Sequence, residues 1–326
     1  MNFYFLPSKS CVVTWSQKCA CTSLSRWIKN SFKEGQECPK ATSMRTYLAK
    51  EGHNHKDINK LKLFTCKKSP KVNTVIVSYR DPASRITSSF VNKFHIYENR
   101  TIFDGKKKVQ TFSKEFSDKI TPSLYRNHGT RREHGNFSIR DMILFLWECK
   151  RSGGLSEVNP HFTPQLLSKK QLHAITSCSS RGFRLFPLKV KSFQDDLNAI
   201  NRVLDINYTN PHKNSTSLPD QDWTFSNSAD LVDLPLSILY ADKVIPKSGS
   251  LRNALHQDQD FNAKYMDVFG HDYELSRWMD GVRQTGKKPT HPLHASFLAK
   301  RQCMNHCPRG RPSCHPEQQQ LESLPI

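Results

Sequence analysis

The first 34 residues contain no glycine, and the whole 326-residue chain has only 13. No G-x-x-x-x-G-K-[ST] pattern occurs, which argues against ordinary ATP or GTP hydrolysis. Acidic residues are scarce: 29 against 49 lysines and arginines, a net charge of +20. The chain offers no recognisable acidic pair for Mg²⁺, so a small-molecule kinase is disfavoured. A field of this sign attracts nucleic acid, acidic polysaccharide or a phosphorylated cofactor. Long apolar runs are missing too, so no membrane span is expected. The amino terminus, MNFYFLPSKSCVVTW, lacks a basic leader followed by an apolar stretch, and a cytoplasmic location is expected. The ten cysteines form no small stapled framework and read as mostly free thiols.

What is present is organised around two strand-to-helix junctions. In TWSQKCACTSLSRWI, a strand over Cys11–Trp15 runs into the polar loop 16–21 and then a helix whose Leu24, Trp27, Ile28 and Phe32 fall at helical spacing. Thr22 or Ser23 can cap that helix. Lys18, the small residues Ala20 and Cys21, and the hydroxyls of Thr22 and Ser23 suit an oxyanion at a helix start. Further on, VNTVIVSY over 72–79 reads as a central parallel strand. Asp81 and Pro82 supply an N-cap and first-turn proline, and Ile86, Phe90 and Phe94 mark the buried face. Arg80 stands at this strand's end. Ser88 lies eight residues later on the helix, with Arg85 one turn before it, so a guanidinium and a hydroxyl can share a second phosphate.

The rest of the chain supports one large α/β domain over 1–280 and a basic tail rich in Pro, His and Arg over 281–326. Residues 34–71 are polar and basic, with a helix expected around Met44–Glu51 and a turn at His53-Asn54-His55. A mobile basic excursion is expected at about 100–138. After it, SIRDMILFLWECKRSGG reads as a helix with Ser138 and Asp141 as a capping box. FRLFPLKV reads as a strand, and the following helix turns Leu197, Ile200, Val203 and Leu204 inward. LPLSILYADKVI and DFNAKYMDVFGHDYELSRWM supply late helices. Cys303, His306, Cys307, Cys314 and His315 lack the paired spacing of a zinc knuckle, so no metal site is expected.

The two junctions resemble the sulfotransferases that use 3'-phosphoadenosine-5'-phosphosulfate (PAPS). SQKCACTSLSRWI is similar to their 5'-phosphosulfate loop, and VIVSYRDPASRITSSFVNKF to their 3'-phosphate motif. The K-x-A-C-T flavour and the N-K-F ending look most like the carbohydrate sulfotransferases of the chondroitin and HNK-1 type. FSIRDMILFLWECKRSGGLSEVNPHFTPQ, PLKVKSFQDDLNAINRVL, NPHKNSTS and FNAKYMDVFGHDYEL are looser matches, and the likeness runs from about residue 10 to 275. One departure is Gln17, where the family has proline before the loop lysine.

The resemblance implies a mostly parallel central sheet flanked by helices, in a P-loop-like sulfotransferase fold. It also implies that Lys18, Ala20, Cys21, Thr22 and Ser23 hold the 5'-phosphosulfate and Arg80 and Ser88 the 3'-phosphate. The expected activity is sulfuryl transfer to a hydroxyl of a carbohydrate or other acceptor, leaving 3',5'-adenosine bisphosphate. Besides Lys18, the expected catalytic group is a base: His53, His55 or His161, with Asp104 as a carboxylate alternative. The rival is a basic nucleic-acid-binding protein without catalysis. Concentration of anion-suited groups at two separate junctions argues against it, and no specific nucleic-acid partner is expected.

Overall fold

The computed structural model describes residues 1–6, 9–31, 54–55, 57–61, 72–95, 118–120, 136–206 and 223–285. All belong to one unit, Met1–Lys288. Phe32, the helix expected at 44–51, His53, Asp104, the NPHKNSTS segment and the cysteines and histidines of the tail lie outside the described residues.

Among the described residues, five strands form the main sheet: β1 (Asn2–Leu6), β2 (Cys11–Trp15), β3 (Asn54–His55), β4 (Thr74–Tyr79) and β5 (Arg184–Lys189), in the order β3-β1-β2-β4-β5. β2, β4 and β5 are mutually parallel, while β1 runs antiparallel to both β2 and β3. Only β1 therefore opposes the common direction, and the chain is α/β with a mostly parallel sheet. β2 and β4 are buried at every residue, as expected for β-branched runs covered on both faces. The His53-Asn54-His55 segment was expected to turn. Instead Asn54 and His55 pair with Tyr4 and Phe3, a long-range pairing that no local pattern announces.

Alternation along the strands sorts the core into two layers. Val13 and Ile76 face α1 (Cys21–Ser31), where Trp27 is fully buried and its indole N–H donates to Asn201 Oδ1 at 2.7 Å. Val12, Val75, Val77 and Tyr79 pack on the opposite face, and all four are fully buried. Asp81 caps α2 (Pro82–Phe90) through Ser84 N at 2.8 Å, with Pro82 in its first turn. Ile86, Phe90 and Phe94 are all buried. The helix widens into a π-turn over Val91–His95.

The capping box of Ser138 and Asp141 starts α3 (Ile139–Arg151) as its sequence indicates. Part of the expected excursion is anchored, because Ile120 and Phe137 are both fully buried in the helical core. After α4 (Lys169–Ser180) and β5 comes α5 (Phe193–Leu204). It buries Leu197, Ile200 and Leu204, but Val203 is 43% exposed, since it lies past the edge of the apolar stripe. LPLSILYADKVI is not wholly helical: α6 (Leu236–Ala241) gives way to β7 (Val244–Pro246), which pairs in parallel with β6 (Thr224–Ser226). The last described helices are α7 (Ser248–Gln257) and α8 (Gln259–Thr285), so α8 continues beyond residue 281, where the tail was expected to begin. No described helix is long and apolar enough to cross a membrane.

Candidate anion-binding site

Two crossover connections place their loops at the carboxyl ends of adjacent parallel strands β2 and β4, where α/β sheets bind ligands. The first loop closes with Cys19 N donating to Ser16 O at 3.2 Å. Lys18 and Ala20 both take the left-handed conformation, with φ of 63° and 55°. Such angles are costly for residues with a Cβ, and the surroundings must impose them. The imposing group is Cys19, fully buried between the two. Its carbonyl accepts from Ser78 Oγ at 2.8 Å, and its thiol donates to Gln165 Oε1 at 2.7 Å. Gln17 accepts the Cys21 thiol through its side-chain oxygen at 3.6 Å.

α1 begins at Cys21, with Leu24 N donating to Ala20 O at 2.9 Å. Ala20 is thus the capping position, and Thr22 and Ser23 fall inside the first turn rather than at the cap. Lys18 Nζ donates to Asn92 Oδ1 on the π-turn. Burial, then Lys93 and Arg80, lower the Lys18 pKa to about 7, with a smaller opposing influence from Cys21. A lysine held among cations is stabilised in its charged form by an arriving anion.

The second junction meets the first directly. Arg80 Nη1 donates to Lys18 O at 3.3 Å, and Gln165 Nε2 donates to Arg80 O at 3.1 Å. Arg80 and Ser88 line one cleft of about 590 Å³, together with Thr87, Phe225, Lys247 and Arg252. Thr87 is 4% exposed, and its Oγ1 has no hydrogen-bond partner among the described residues. The two guanidinium groups and the ammonium on this lining suit a phosphate, and Thr87 adds an orphaned hydroxyl to the same wall as Ser88. The start of α7 forms the opposite wall, where Gly249 packs against the Asn227 side chain, which a Cβ at that position would have to displace. Arg252 is held in place by Asp81 at 2.8 Å.

Arg85, one turn before Ser88, is not a cleft residue. It is fully buried, pairs with the fully buried Asp272 at 3.7 Å, and donates to the carbonyl of Thr163. Asp272 also accepts from the backbone N–H of Gln165 at 2.8 Å and of Leu166 at 2.9 Å. Burial pushes its carboxyl above the ordinary value against the pull of Arg85 and these amides.

The histidines separate. His161 lies in a segment docked on α2, where Ser89 Oγ donates to its carbonyl at 2.7 Å. Asn159 Oδ1 lies 2.8 Å from His161 Nδ1, an acceptor that fixes the proton there and makes Nε2 the basic nitrogen. His55 is level with Thr14 through Phe3 in the sheet register, but two strand spacings, roughly 10 Å, from β2.

Sequence reasoning overlooked Gln165, Thr87, Lys247 and Arg252 as site residues. Comparison with protein-family models, curated proteins and solved structures returns no match.

Proposed function

We propose that this chain is a PAPS-dependent sulfotransferase with the P-loop-like sulfotransferase fold, acting on a hydroxyl of a carbohydrate acceptor. The observation that carries this reading is Arg80, which reaches the Lys18 carbonyl of one junction while lining a nucleotide-sized cleft with Ser88. A donor with anionic groups at both ends of a nucleoside matches two such junctions. The orphaned Thr87 hydroxyl and the depressed Lys18 pKa fit the same ligand.

In this reading Lys18 and the amides at the start of α1 hold the 5'-phosphosulfate, and Arg80, Ser88 and Thr87 hold the 3'-phosphate. Lys247 and Arg252 add positive charge on the facing wall. Bound there, the donor supplies an electrophilic sulfur and a phosphate leaving group. The acceptor oxygen bonds to sulfur as the sulfur–oxygen bond to the 5'-phosphate breaks. His161 Nε2 takes the acceptor proton, and Lys18 stabilises the charge left on the departing phosphate.

The test is a thermal-shift comparison of 3',5'-adenosine bisphosphate with AMP, followed by transfer of labelled sulfate from PAPS to a panel of polysaccharides. The bisphosphate should stabilise the chain far more than AMP, because only it can engage both junctions. Arg80→Ala should abolish the difference. Equal shifts with the two nucleotides would refute the assignment of the 3'-phosphate.

A further inference from the structure

Gln165 lies 85 residues from Arg80 and 146 from Cys19, yet its side chain joins them. It is 1% exposed. Oε1 receives the Cys19 thiol at 2.7 Å and the Ser16 hydroxyl at 3.4 Å, and Nε2 donates to Arg80 O at 3.1 Å. Chemistry fixes the amide's orientation, since the Arg80 carbonyl can only accept and must therefore face the NH₂ group. Burial raises the Cys19 thiol to about 11, so it stays protonated and serves as a donor. The backbone of Gln165 is itself held by Asp272.

We infer that Gln165 is a positioning residue that locks the Lys18 loop to the Arg80 strand end, setting the separation between the two anion-holding junctions. The inference rests on the sulfotransferase reading for its ligand, but not for its geometry. Without a glycine, the loop's two left-handed residues depend on an anchor at Cys19, and Gln165 is the partner of that anchor's side chain. The same amide restrains Arg80 through its carbonyl. A spacing fixed in this way suits a donor whose two anionic ends are a set distance apart, and loosening it weakens the bisphosphate more than AMP.

The experiment compares wild type with Gln165→Met, which keeps the length and loses the hydrogen bonds. Iodoacetamide labelling of Cys19 and Cys11 is followed by peptide mass spectrometry; both residues are fully buried in the folded chain. Cys19 should label at least tenfold faster while Cys11 stays protected. Affinity for 3',5'-adenosine bisphosphate should fall at least tenfold, and kcat should drop with little change in acceptor KM.

Equal acceleration at both cysteines would make Gln165 an ordinary structural residue and overturn the inference. So would unchanged Cys19 labelling, or unchanged bisphosphate affinity in a chain whose wild type binds it. Failure of the wild type to bind the bisphosphate would overturn the functional reading alone, and the labelling ratio would still decide whether Gln165 locks the loop. Cys19→Ala deletes the same bond from its other end. It should weaken the bisphosphate similarly, and combining it with Gln165→Met should add little; a fully additive double variant would refute the coupling.

Discussion

Lys18 makes ligand binding pH-dependent in a way that can be worked out beforehand. Its pKa falls from 10.5 to about 7 through burial and the charges of Lys93 and Arg80. An anion placed against it favours the ammonium form, so binding between these two values draws a proton from solvent. The charged fraction in the free chain is about one half at pH 7 and about one in a hundred at pH 9. Affinity for 3',5'-adenosine bisphosphate should therefore fall roughly fiftyfold over that interval. Calorimetry in two buffers of different ionisation enthalpy should give about half a proton taken up at pH 7 and nearly one at pH 8.5. Working above pH 7 keeps the ligand's own phosphate titration, near pH 6, out of the window. Lys18→Met should bind more weakly at pH 7 and lose the slope; Lys18→Arg should flatten the slope while retaining charge. Without ligand the sign reverses. The unfolded lysine binds protons more tightly, so its contribution to stability rises with pH between about 7 and 10.5. A bisphosphate affinity that stays flat from pH 7 to 9, or a wild-type slope that survives in Lys18→Met, would refute the argument.

Removing the proposed base, His161→Ala should lower kcat by about 10²–10⁴-fold with little effect on bisphosphate binding, whereas His55→Ala should do less; the reverse ranking in steady-state assays would move the base to His55. Arg85→Met should cost about 3–5 kcal/mol in a urea titration because it strands buried Asp272 without its charge partner, and a loss below about 1 kcal/mol would contradict the structural role assigned to that arginine.

The elements that the sequence announces are those whose signals are local. A β-branched run, Asp81 followed by Pro82, and the Ser138–Asp141 box each specify a strand or a helix start within a few residues, and β4, α2 and α3 form where those signals lie. β3, β6 and β7 are only two or three residues long and are defined by pairing rather than pattern, which is why Asn54-His55 reads as a turn and forms a strand. The candidate site divides in the same way. Lys18 and Arg80 are legible because each follows the end of a strand, and Ser88 because it lies on the helix that Arg80's strand leads into. Gln165 is not, because its role consists of hydrogen bonds to residues far away in the chain. The missing glycines show why such a residue is needed. A glycine loop takes left-handed backbone at little cost and leaves its amides free to approach an anion. This loop reaches left-handed angles at Lys18 and Ala20 by burying Cys19 and tying it to Ser78 and Gln165. The conformation that glycine would have written into the local sequence is imposed here by tertiary contacts, which join the loop to the very strand that carries Arg80.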